Sequence, residues 1–342
     1  MVERIVVSSP GGWQSPSARY RLGPLAREGP WPVEVVPGGS FPTRAQIDDL
    51  IERKGNEAML ILQRVMPTRE EVEHLKAGYR NVVFDFDDAI YEAPPDTDSP
   101  PTKLLKKSAR LLMRGSPSAS ARKRPLVRTL EQVDLCVAGN AILRAFAQRH
   151  AARVVEVPTT VEPVEAPPLG RPPVPVVVWM GLPDNLRHLR LVRGALEQLA
   201  AEFEFQLRIV SSEPWNEAPV PAEFVAWSPE AMRETLLGAS VGIAPLADTP
   251  WTRGKCALRA IQYGGHALPT VASPIGVTDR VVLHGKTGYL ADGEDEWLEA
   301  LRTLVSNRDL GPEMGRLALE HVRAHYSDTV AVQAWRDIVR SL

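Results

Sequence analysis

Arg253 and Lys255 stand two residues apart, just ahead of a helix-like run and a small-residue loop, Ser273-Pro274-Ile275-Gly276. Cations beside a helix start, with Gly-containing loops that offer free backbone N–H groups, suit an anionic ligand such as the diphosphate of a nucleotide. The same stretch, 251–277, also reads as one ordinary βα unit whose cations are solvated. Its spacing predicts a charged loop, a short helix, a tight turn at Gly264-Gly265 and a strand from Pro269 to Ala272. A second cluster, Asp85-Phe86-Asp87-Asp88, ends another strand-like run. In an extended chain Asp85 and Asp87 share a face and Asp88 points the other way. Three carboxylates this close repel one another, which raises at least one pKa. They suit a metal ion, a general base or hydrogen bonds to substrate hydroxyls. The structural reading is helix capping and an ion pair with Arg19 or Arg21.

A third feature is purely electrostatic. Between 102 and 128 stand Lys103, Lys106, Lys107, Arg110, Arg114, Arg122, Lys123, Arg124 and Arg128, with no Asp or Glu among them. Leu104, Leu105, Leu111 and Leu112 fall near one helical face and the cations near the other, the pattern of a basic amphipathic helix on a membrane surface. The segment also suits phosphate groups of a substrate, or a solvated insertion. It lacks the interleaved aromatics of a nucleic-acid binder. His321 and His325 are four apart without a glutamate between them, so they carry no zinc motif.

The elements that must position these groups come from hydrophobic period. The chain has 342 residues and a formal net charge of −2, ordinary for a soluble two-domain protein and no support for nucleic-acid binding by the whole chain. Its two cysteines, Cys136 and Cys256, form no disulfide framework, and its start shows no signal-peptide pattern, so the expected setting is cytoplasmic. Apolar runs at 5–7, 33–36, 58–62, 81–85, 133–137 and 154–157 alternate with helical periods, as in a parallel sheet. Pro158 to Pro173 reads as a linker. A second alternation follows: strands at 174–180, 206–210, 223–227 and 240–245, a long helix over Leu186–Phe203, and helices to the end of the chain. Ligands of such sheets sit at the carboxyl ends of strands. That places Gly11, Gly12, Arg19 and Arg21 at one strand end and Asp85, Asp87 and Asp88 at another, with a site expected in the cleft between domains.

Several stretches carry a family pattern. Val178-Trp-Met-Gly181, Val241-Gly-Ile-Ala-Pro-Leu-Ala-Asp248, Gly254-Lys-Cys-Ala-Leu-Arg-Ala-Ile-Gln-Tyr263, Leu268-Pro-Thr-Val-Ala-Ser-Pro-Ile-Gly276 and Gly285-Lys-Thr-Gly-Tyr-Leu290 resemble GT-B glycosyltransferases of the retaining group called family 4. Ser17-Ala-Arg-Tyr-Arg21 and Val83-Phe-Asp-Phe-Asp-Asp-Ala89 extend the resemblance to the first half. It implies an α/β fold of GT-B architecture: two doubly wound, Rossmann-like parallel-sheet domains facing an interdomain cleft. The first would span 1–165 and face the acceptor. The second, 166–325, would bind the nucleotide sugar, and a terminal helix, 326–342, would pack back on the first. The implied reaction transfers a sugar from a nucleotide-diphosphate sugar to an acceptor hydroxyl, with retention, without metal or cofactor. A glycan, lipid-linked or small-molecule acceptor fits, as does a peripheral position at the inner membrane face through 102–128. A degenerate donor-binding subunit, or another GT-B activity such as an epimerase or phosphorylase, is the alternative.

The family places two glutamates around the helix after Gly254. Gln262 falls at the second, which holds the donor ribose, and Gly254-Lys255 near the first, where no carboxylate stands. Of the Arg and Lys that the family carries after the first strand of this domain, the matching positions are Leu182 and Arg187, so one cation is present. The resemblance thus implies Arg187, Arg253, Lys255 and the backbone of Pro274-Ile275-Gly276 around the leaving diphosphate. Gly11 and Gly12 would approach the phosphates, Asp87 or Asp88 would orient the acceptor with Arg19, Arg21 and Asp85 beside it, Ser273 would contact the donor, and Trp227, at a strand end, either flanks the base or belongs to the core.

Overall fold

A computed structural model describes residues 2–53, 55–92, 119–166 and 172–342. The chain forms two compact units. The first comprises Met1–Pro158, Thr249–Lys255 and Ala331–Leu342; the second comprises Thr159–Asp248 and Cys256–Val330.

The first unit holds a six-stranded parallel sheet of strands β1 (Arg4–Pro10), β2 (Val33–Gly38), β3 (Gly55–Gln63), β4 (Tyr79–Phe86), β5 (Leu135–Ala138) and β6 (Val154–Glu156), in the order β2-β1-β3-β4-β5-β6. Parallel strands covered on both faces read as continuous apolar runs, and Val82 to Phe86 are all buried. Helix starts are written into the sequence. Thr43 with Gln46 and Thr68 with Glu71 form reciprocal capping boxes, each satisfying two otherwise unpaired N–H groups. The core on one face joins Ile5, Val7, Met59, Ile61, Val83, Leu135 and Val137 to Ala331, Trp335 and Ile338 of the C-terminal helix Asp328–Ser341. Residues 102–118 of the basic stretch lie outside the described residues. Its remainder belongs to the helix Ala119–Leu130, which buries Leu126 and Leu130 and exposes Lys123, Arg124 and Arg128.

The second unit repeats the plan with β7 (Val176–Met180), β8 (Gln206–Ser211), β9 (Ala222–Ala226), β10 (Val241–Ala244), β11 (Thr270–Ala272) and β12 (Gly288–Leu290), in the order β12-β11-β10-β7-β8-β9. Trp179 and Trp297 anchor its core. Three expectations need correction here. The expected helix Leu186–Phe203 is a 3-10 helix, Pro183–Val192, followed by an α-helix, Arg193–Glu202. Leu186, Leu189 and Val192 recur every third residue, the period of the 3-10 helix rather than the α-helix. Gly264-Gly265 is no tight turn: it closes the helix Leu258–Gly265, and the chain turns after it, with Ala267 at φ 55°. The two glycines instead admit close neighbours, since a Cβ on Gly264 would lie 2.8 Å from Val322 and one on Gly265 2.9 Å from Val161. Finally, 158–166 is not a free linker. Thr159, Thr160, Val161 and Val164 are buried, and the Val161 and Val164 N–H groups donate to the carbonyls of Tyr326 and Gly265, each at 2.9 Å. Residues 167–171 of the expected linker lie outside the described residues.

Candidate functional site

In each sheet the strand order reverses once, and the crevice at the carboxyl ends of the strands on either side of that reversal is where open α/β sheets bind ligands. In the first unit the reversal lies between β1 and β3. After β1 come Gly11 and Gly12, both left-handed, at φ 76° and 54°. Gly12 also packs tightly, since a Cβ there would sit 3.2 Å from the Pro37 side chain. After β3 comes Arg64, a non-glycine residue at φ 56°. A left-handed backbone costs a residue with a Cβ on the order of 1–2 kcal/mol. The strained turn is held by the Arg64 N–H, which donates to the Asp85 carbonyl at 2.9 Å. The Arg64 guanidinium Nη1 then donates to Ser17 Oγ at 3.0 Å and lies 3.4 Å from Asp88 Oδ2 and 3.7 Å from Asp87 Oδ1. The motif reading missed Arg64; its signal was a lone cation directly at the carboxyl end of an apolar strand.

Asp88 faces a second cation, Lys255, whose Nζ lies 3.3 Å from Asp88 Oδ1. The approach of 254–255 is built from both sides. Asn140 caps its own helix, accepting from the Leu143 N–H at 2.9 Å, and donates through Nδ2 to the carbonyls of Gly254 at 3.0 Å and Lys255 at 3.3 Å. A Cβ on Gly254 would come within 2.5 Å of the Ala89 Cβ, so only glycine fits there. Lys255, which the resemblance sets at the diphosphate, pairs with Asp88 in this structure. Arg253, at the end of the short helix Pro250–Arg253, is exposed.

Asp85 and Arg21 meet as the alternative structural reading of the acidic cluster has it. Both are buried, and Arg21 grips the carboxylate through Nε, at 3.0 and 2.8 Å, and Nη2, at 2.6 Å. Arg21 Nη1 donates to the Val157 carbonyl at 2.9 Å. Burial pushes the Asp85 carboxyl pKa up, and Arg21 pulls against it. This is the structural reading of the acidic cluster for Asp85: a core ion pair that fastens helix Pro16–Arg21 to β4, with no surface for an acceptor. Asp87 and Asp88 remain at the strand end, beside Arg64. Arg19 directs Nη2 to the Gln14 carbonyl at 3.5 Å.

In the second unit the reversal lies between β7 and β10. Loops at this edge are tied to one another by side chains. The Ala247 N–H donates to His188 Nδ1 at 3.2 Å, which leaves the proton of a neutral imidazole on Nε2, and the Leu246 N–H donates to Ser273 Oγ at 3.0 Å. Arg187 stands just before His188 on the 3-10 helix, and its Nη1 is buried without a hydrogen-bond partner among the described residues. The helix Leu258–Gly265 is pinned at the reversal by Tyr263, whose hydroxyl accepts from the Met180 N–H at 3.0 Å and lies 3.4 Å from the Val178 carbonyl and 3.3 Å from that of Ile243. Gly242 makes room for that ring, since a Cβ there would lie 2.4 Å from it. In the first turn of the same helix Arg259 donates through Nε to the Met180 carbonyl at 2.6 Å, with its guanidinium carbon 4.8 Å from the centre of a Trp179 ring.

The loop after β11 offers fewer donors than its composition suggests. Pro274 has no N–H, and the Ile275 N–H donates to the Ser273 carbonyl at 2.8 Å. Gly276, at φ 67°, takes the left-handed turn that follows. Gln262 is buried, with Nε2 3.6 Å from Met232 Sδ, and Trp227 is exposed just past β9.

Residues 174–307 match the model of the family described as glycosyl transferases group 1. Over 90 residues, 25% of the chain, the sequence is 29% identical to D-inositol 3-phosphate glycosyltransferase of Paenarthrobacter aurescens (strain TC1), and the match spans 22% of that relative's length. Among solved structures, sucrose-phosphate synthase from Thermosynechococcus elongatus is similar at TM-score 0.69 and 14% identity, over 99% of this chain and 100% of that one. Anabaena HepE in complex with UDP and glucose is similar at TM-score 0.65 and 12% identity, over 99% and 100% of the two chains. At these identities the likeness is one of fold: two six-stranded parallel sheets with flanking helices, as in GT-B glycosyltransferases.

Proposed function

We propose that this chain, whose residues 174–307 match the model of the group 1 glycosyl transferases, transfers a sugar from a nucleotide-diphosphate sugar to an acceptor hydroxyl, with retention and without a metal. The observation that carries the reading is Arg187: a guanidinium nitrogen buried without a partner among the described residues, on the 3-10 helix that follows β7 at the sheet reversal. A buried donor left unpaired costs about 1–3 kcal/mol, more when charged, and an anionic ligand at that edge relieves it. In the reaction the bond from the anomeric carbon to the diphosphate oxygen breaks, and its electron pair leaves with the nucleoside diphosphate. The acceptor oxygen bonds the same carbon, and its proton passes to the departing diphosphate. Cations aimed at the leaving oxygen lower the barrier, because charge develops there. Gly11 and Gly12 would approach the phosphates, and Asp87 or Asp88 would orient the acceptor hydroxyl.

The UDP complex of HepE makes UDP sugars the first donors to try. The test is release of nucleoside diphosphate from a panel of UDP-, GDP- and ADP-sugars with sugar and polyol acceptors, with the anomeric configuration of the product read by NMR and EDTA added in parallel. Turnover that survives EDTA and keeps the donor's configuration supports the proposal. No binding and no turnover across the panel sinks it. A second reading, a donor-binding subunit without catalysis, is favoured by one feature: Gly254 packs too closely on Ala89 to carry the glutamate the family places near it. Donor binding without turnover would select it.

The chain is further proposed to work in the cytoplasm against an anionic membrane through 102–128. Among the described residues no helix is long and apolar enough to cross a bilayer. Flotation with phosphatidylserine vesicles, compared with a chain neutralised at Lys103, Lys106, Lys107 and Arg110, decides it; equal flotation refutes the membrane role.

A further inference from the structure

We propose that Arg259 grips the leaving diphosphate, as a cation preset at the carboxyl end of β7; the inference rests on the nucleotide-sugar reading above. Among the described residues the Arg259 side chain makes one hydrogen bond, through Nε to the Met180 carbonyl, and has no carboxylate partner. Its guanidinium lies over Trp179, and the place it occupies is reserved by Gly181, where a Cβ would lie 2.8 Å from Arg259 Nη2 and 2.9 Å from the Trp179 ring. Met180 ends β7, one of the two strands that flank the reversal of the sheet.

A purely structural side chain on the Trp179 face would be cheaper as methionine or leucine, since burying charge without an acid is penalised. Burial does push the Arg259 pKa below its ordinary value, yet an arginine starts so high that it stays charged. Three constraints, the Nε hydrogen bond, the stacked ring and the missing side chain at 181, fix the plane of the guanidinium before any ligand arrives. A planar fork held in this way matches two phosphate oxygens at once. Arg259 lies within the stretch Gly254–Tyr263 that carries the family resemblance, which assigns it no role.

The test is calorimetric titration of the intact chain with UDP, GDP and ADP, then of the tightest binder against its own nucleoside. Arg259→Met should weaken the diphosphate roughly ten- to hundredfold and leave the nucleoside unchanged, since a charge-assisted pair is lost while base and ribose contacts stay. Arg259→Lys should recover part of the loss. Gly181→Ala, which evicts the guanidinium without removing it, should reproduce the loss. Diphosphate affinity equal to wild type in Arg259→Met, or an equal loss for diphosphate and nucleoside, overturns the inference and leaves the donor reading intact. A wild-type chain that binds none of the three diphosphates overturns the donor reading itself. Should Arg259→Met fail to fold, Arg259→Lys and Gly181→Ala decide by the same comparison.

Discussion

Asp88 has a cation on either side, Arg64 at 3.4 Å and Lys255 at 3.3 Å, and all three side chains are less than a third exposed. A pair of this kind, partly shielded from water, couples by about 1 kcal/mol. A double-mutant cycle of Asp88→Asn and Lys255→Met, followed by urea unfolding, should return a coupling of that size, and a value indistinguishable from zero would remove Lys255 from this cluster. If Asp88 orients the acceptor hydroxyl, Asp88→Asn also lowers turnover about 10²-fold or more, which Lys255→Met alone does not match. Much of this cluster was legible. The acidic run at a strand end, the paired glycines and the cation at 255 all announced themselves by type and place. Which carboxylate meets which cation was not, because Asp85 and Asp88 are neighbours in sequence and opposites in environment. One lies inside the core with Arg21; the other stands at the strand's open end. Arg64 was half legible: a lone cation at the end of an apolar strand shows in the sequence, but its left-handed backbone does not.

At the scale of elements the turn after Leu258–Gly265 shows how glycines were misread. Ala267 turns with a positive φ, and its carbonyl lies so close to the helix Leu310–His325 that a Cβ on Gly315 would sit 1.9 Å from it. Alanine is the better helix former by about 1 kcal/mol. The clash with a fixed backbone carbonyl outweighs that gain, so Gly315→Ala should lose about 2 kcal/mol net in urea unfolding. A gain in stability would mean that the two helices are not in contact at this point. His266, in the same turn, adds a pH dependence. It is buried, and burial lowers its pKa below the ordinary 6.5, opposed by its contact with the Gln262 carbonyl at 2.8 Å. The unfolded chain therefore takes up the proton first. Stability is complete above about pH 6.5 and falls as the pH drops below it. Across pH 7 to 5, His266→Gln should show a shallower loss of stability than wild type. Period and capping had made most elements readable, down to the Thr68 cap. The 3-10 helix shows only in the every-third-residue spacing of Leu186, Leu189 and Val192, which also fits an α-helix loosely, and this turn depends on what packs against it rather than on local preference.

For the whole molecule, alternation of strands and helices was enough to foresee two parallel sheets, but only the family resemblance, not the alternation, sets the terminal helix against the first of them. The last helix completes the core of the first unit: Trp335 is fully buried and packs in one cluster with Ile5, Val7, Met59, Ile61, Leu135 and Val137, residues more than 190 positions earlier. Truncating a core tryptophan to alanine costs about 3–5 kcal/mol, a large part of the 5–15 kcal/mol that holds a typical domain. Trp335→Ala should therefore loosen β1, β3 and β5 although it touches none of the chemistry. Native-state hydrogen exchange reads this strand by strand: the slow amides of β1, β3 and β5 should exchange faster by roughly two to three powers of ten, since each 1.4 kcal/mol is a factor of ten in the opening equilibrium. The matching change in the second core, Trp297→Ala, should act on β10 and β11, whose Ile243 and Val271 share its cluster. If Trp335→Ala left β1, β3 and β5 as protected as in wild type, the C-terminal helix would not be part of the first unit's core, and the division of the chain into its two units would have to be redrawn.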